Sequence, residues 1–136
     1  MFKIFKSNKN TVVDFLQKKD VEIANAYRAN TATKLNNGFS SVAASYIARD
    51  IKNNRRIDNA VTGISYDTKY SPERYIKRDY EIISEDDTQC IIKRFVNFKA
   101  VDVSKRISTS INDSFAEIFT ISKTANGFRI EKICAA

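Results

Sequence analysis

The sequence predicts an α+β fold in which N-terminal helices pack on a strongly curved antiparallel sheet of about four strands. Three observations predict it. Before about Tyr66 the apolar residues recur at helical spacing, and after about Tyr75 they recur at strand spacing with turn residues between the runs. Near the end, Asn126-Gly127 separates two alternating runs, a strong short-range hairpin signal. Helices followed by consecutive strands imply a layer of helices laid on one face of an antiparallel meander.

The elements follow in order. Thr11-x-x-Asp14 reads as a capping box, so residues 1–10 are expected to be a flexible basic N-terminus and 11–136 one domain. Val12, Leu16, Ile23 and Tyr27, flanked by Val13, Phe15, Ala24 and Ala26, form the apolar face of a first helix ending near Asn30. Lys18, Lys19, Asp20, Glu22 and Arg28 take much of its remaining surface. Asn36-Asn37-Gly38 interrupts, and Ser40 or Ser41 can cap a second helix with Phe39, Val42, Ala43, Tyr46, Ile47 and Ile51 inward. Gly63 and Ser71-Pro72-Glu73-Arg74 suggest turns in a stretch with little other pattern.

The strand half begins with Tyr75 to Ser84, where Ile76, Tyr80 and Ile82 share a face, and turns at Glu85-Asp86-Asp87. From Cys90 to Val103 both faces are apolar: Cys90, Ile92, Val96, Phe98 and Ala100 on one, Ile91, Phe95, Val101 and Val103 on the other. Such a strand is covered on both sides or bends midway. After a polar loop, Phe115, Phe119 and Ile121 alternate with Ala116, Ile118 and Thr120, and the Asn-Gly hairpin leads into Phe128, Ile130 and Lys132. The long strands are expected to curl the sheet into a half-cone with the helices across its mouth.

Charge and cysteines narrow the chemistry. The formal charge is +7 over 136 residues, with doublets at Lys18-Lys19, Arg55-Arg56, Lys77-Arg78, Lys93-Arg94 and Lys105-Arg106. Arg55, Arg56, Lys93, Arg94, Lys105 and Arg106 are the basic-patch candidates, suited to an acidic protein or an anionic lipid surface, or simply solubilising. Nucleic acid is disfavoured, because Phe95 and Phe98 fall on opposite faces of a strand and cannot form one stacking platform. Cys90 and Cys134 sit in apolar runs as small hydrophobes. With no His in the chain, zinc-ligand spacing, the commonest general base and every Ser-His triad are excluded, and no cofactor is implied. No run of apolar residues is long enough to span a bilayer, so the expected compartment is the cytoplasm, with peripheral membrane association open.

Ala26-Tyr27-Arg28-Ala29-Asn30 followed by Leu35, the strand Ile92-Lys93-Arg94-Phe95, and the closing Phe119-Thr120-Ile121 with Asn126-Gly127-Phe128-Arg129-Ile130 carry a family pattern. In element order and in these segments the chain resembles the cystatin-like, nuclear-transport-factor-two-like superfamily of cone-shaped α+β domains. Within it the pattern is most similar to the domain of the mitochondrial import-motor anchor and a mitochondrial large-subunit ribosomal protein. The last strand of that family commonly has tryptophan where this chain has Phe128. The resemblance implies a cone fold that serves isomerases, ligand carriers and protein-binding modules alike.

Two functions are therefore weighed. In one, Ile91, Phe95, Val101 and Val103 form a second apolar sheet face that the helices cannot cover, and the chain is a non-catalytic protein-binding or assembly module that self-associates through it. In the other, Tyr27, Tyr46, Phe95 and Phe119 line a small-ligand pocket, with Asp79, Asp102 and a tyrosine as acid–base groups of an isomerase-like enzyme; the same aromatics can equally well fill a core.

Overall fold

The computed structural model describes residues 2–35, 37–57, 76–102 and 109–136, with side chains described for 11–35, 37–53, 76–97 and 114–136. Helix α1 spans Phe2–Ala29 and α2 spans Ser41–Ile57, followed by strands β1 (Lys77–Glu85), β2 (Gln89–Asp102), β3 (Thr109–Thr124) and β4 (Gly127–Ala135). The strands form one antiparallel meander in the order β1-β2-β3-β4.

In α1, Val12, Leu16, Asp20, Ile23 and Tyr27 are buried at spacings of three and four, a single stripe down one side. The helix starts at Phe2 rather than at Thr11. No Gly or Pro stands between these positions, so the potential capping box is passed through as ordinary helix. Asn30 ends it in the left-handed region (φ 56°), with the N–H of Asn30 donating to Tyr27 O at 3.2 Å and that of Thr31 to Ala26 O at 3.1 Å. This pair of bonds is a Schellman motif, and it satisfies two carbonyls of the last turn.

The connection to α2 is held on three sides. Gly38 has φ 80°, and a Cβ there would lie 2.6 Å from Lys19 Cε. Lys19 Nζ donates to Asn37 O at 2.8 Å. Residues 38–40 run beside β4, with Ile130 N–H donating to Gly38 O and Ser40 N–H to Ile130 O. Ser40 caps α2, its Oγ accepting the Ala43 N–H at 3.1 Å while donating to Glu131 O. Ala43, Ile47 and Ile51 then face the core, whereas Val42, expected inward, is 62% exposed.

Two bulges set which residues face inward. In β4, Ile121 pairs with Ile130 and Thr120 with Lys132, so Glu131 is the extra residue. Ile130 and Ile133 are both buried although three apart, which regular alternation forbids. A second shift between Ile82 and Ser84 leaves Ile83 half-exposed. The sheet is not strongly curled, so the expected half-cone does not form. In β2 one face, with Cys90, Ile92, Arg94 and Val96, is buried under the helices, while on the other Phe95 is exposed and neither helix covers it. Asp20 of α1 and Tyr46 of α2 both reach the face carrying Cys90, Ile92, Arg94 and Val96. The fold is thus two layers, two helices over one face of the sheet.

Candidate functional site

Three charged residues interrupt the buried face. Asp20 and Arg94 are 0% exposed and Glu117 is 4% exposed. The register places Tyr80, Arg94 and Glu117 side by side on β1, β2 and β3, and the α1 stripe brings Asp20 over them. Arg94 Nη1 donates to Asp20 Oδ1, and Nη2 donates to Glu117 Oε1 at 2.5 Å. Each carboxylate has a second donor. Tyr80 donates to Asp20 Oδ2 at 2.6 Å, and Tyr46 donates to Glu117 Oε2 at 2.6 Å. Arg78 Nε stands 4.0 Å from Asp20, and the Arg94 guanidinium lies over the Phe119 ring, 4.6 Å from its centroid. Cations and carboxylates therefore balance inside this cluster.

Burial pushes the Asp20 carboxyl above its ordinary value, against the pull of Arg94, of the Tyr80 hydroxyl and of Arg78. The phenols of Tyr46 and Tyr80 are raised by burial and by the carboxylates they touch, so at neutral pH both remain protonated donors. Burial also pushes the Cys90 thiol up to about 11, which leaves it a packing group rather than a nucleophile. Among the described residues no group of three or more His, Cys, Asp or Glu is placed to hold a metal ion.

The pocket candidates do not converge. Tyr27 is buried and donates to Asp50 Oδ2 at 2.5 Å, Tyr46 is committed to Glu117, and Phe119 is covered by Arg94. Phe95 is 36% exposed on the opposite face of the sheet, so it cannot share a cavity with them. A groove of about 520 Å³ lies instead between the α1–α2 connection and α2, lined by Thr31, Thr33, Ala44, Ser45, Ala48 and Lys52 among others. Asp79 is exposed and points away from Tyr80, as their alternation requires.

The basic candidates separate as well. Arg94 is fully buried between two carboxylates and belongs to no surface patch, which corrects its assignment beside Lys93. Lys93 lies on the other face with its Nζ 5.0 Å from the centroid of Phe95. Val103, Lys105 and Arg106 fall outside the described residues, as do the side chains of Arg55, Arg56, Val101 and Asp102.

What remains is the sheet face turned away from the helices. Register pairs Phe95 with Ala116, Lys93 with Ile118, Ile91 with Thr120 and Ile118 with Cys134 across it. Ile91, Ile118 and Cys134 are half-buried and Phe95 stands out, with Asp79 and Glu81 exposed at the β1 edge and Lys132 exposed on β4. No described helix is long and apolar enough to cross a membrane. Sequence reasoning missed Asp20, Arg94 and Glu117 as interior groups. The signal that could have found them is that each occupies a position where an apolar face at its proper spacing has a polar gap: 20 between 16 and 23, 94 between 92 and 96, 117 between 115 and 119. Comparison with protein families, with curated proteins and with solved structures finds no match to this chain.

Proposed function

We propose that this chain is a non-catalytic assembly module that docks protein through the open face of its sheet, self-association included. One observation carries the reading: Phe95 is a large apolar side chain, exposed beside Ile91 and Ile118 on the face that neither helix occupies. An aromatic ring flanked by aliphatic groups and a lysine resembles the anchor of a protein interface more than a solvated surface. On the other face the buried polar groups are committed to one another, Tyr46 and Arg94 to Glu117 and Tyr80 and Arg94 to Asp20, beneath the helices. The formal charge of +7 makes an acidic protein or an anionic lipid surface a further partner of this kind.

The test is solution mass by light scattering across a concentration series, for the wild-type chain and for Phe95→Lys. Assembly predicts a mass that rises above the monomer with concentration and an association constant at least about tenfold lower in the variant, whose thermal unfolding stays cooperative. A wild-type chain that remains monomeric at every concentration, with no response to the substitution, overturns the self-association in this reading.

A further inference from the structure

We draw no further inference here: the strongest candidate, the sheet face turned away from the helices around Phe95 and Ile118, belongs to the site already described, and nothing in the structure shows what covers it.

Discussion

A guanidinium removed from water costs several kcal/mol unless its hydrogens find acceptors, and Arg94 finds Asp20 and Glu117 while stacking on Phe119. Its importance to stability lies in what its loss would strand. In Arg94→Met the side chain keeps much of its volume, but two buried carboxylates lose their shared cation. The expected cost is about 3–5 kcal/mol, read as a lower urea midpoint with an unchanged slope. Replacing the three charged groups together, as Asp20→Leu/Arg94→Met/Glu117→Leu, removes the stranded carboxylates with the cation but also takes the Asp20 carboxylate from Arg78 and the acceptors from Tyr80 and Tyr46, so it should recover only part of that loss. A triple variant no more stable than Arg94→Met alone would show that the cluster holds the fold by more than mutual neutralisation. The sequence hid this residue because Lys93-Arg94 looks like a surface doublet, whereas adjacent strand residues face opposite ways and only one of the two reaches solvent.

At the scale of elements, turns and bulges settle what periodicity leaves open. The β1–β2 connection closes on Asp86, whose Oδ1 accepts the N–H groups of Thr88 and Gln89 and the Thr88 hydroxyl, all at 2.7 to 2.9 Å. Those bonds favour the charged form and hold its carboxyl below the ordinary value of 3.8. A carboxyl depressed by folding stabilises the native state above its unfolded pKa, and that contribution fades as pH falls through the folded one. Wild type should therefore exceed Asp86→Asn in urea midpoint at pH 6, and the gap should narrow below about pH 4, toward closure in stronger acid. A gap that widens on acidification would contradict the sign. The turn itself was legible in Glu85-Asp86-Asp87, but the β4 bulge was not. Alternation carries Phe128, Ile130 and Lys132 along one face, yet the inserted Glu131 shifts the phase and sends Ile133 inward. An extra strand residue has no composition of its own, and the three-residue step from Ile130 to Ile133 was its one trace.

For the molecule as a whole, the order of elements was readable because helix and strand periods differ. The modest curl of the sheet was not, since a strand apolar on both faces suits a strongly curled sheet and a half-covered one equally. Nor was the polar interior, because a charged residue scores as surface wherever its partners are distant in sequence: Asp20 and Arg94 are joined across 74 residues, Tyr46 and Glu117 across 71. Those distant pairs have a consequence for cooperativity. Tyr80 and Asp20 tie β1 to α1, Tyr46 and Glu117 tie α2 to β3, and Arg94 forks between the two carboxylates, so both helices are docked through one guanidinium. Tyr80→Phe removes a donor from Asp20, and Tyr46→Phe removes one from Glu117; each should cost about 1.5–3 kcal/mol, as hydrogen bonds to charged groups do. If Arg94 transmits the loss, the two substitutions together should depart from additivity by at least about 0.5 kcal/mol in a double-mutant cycle of urea unfolding. Tyr80→Phe with Asp86→Asn, which share no partner in the structure, should add within about 0.3–0.5 kcal/mol. Strict additivity of the tyrosine pair, with each single loss intact, would mean that the helices are held independently and that Arg94 joins them in space without coupling them in energy.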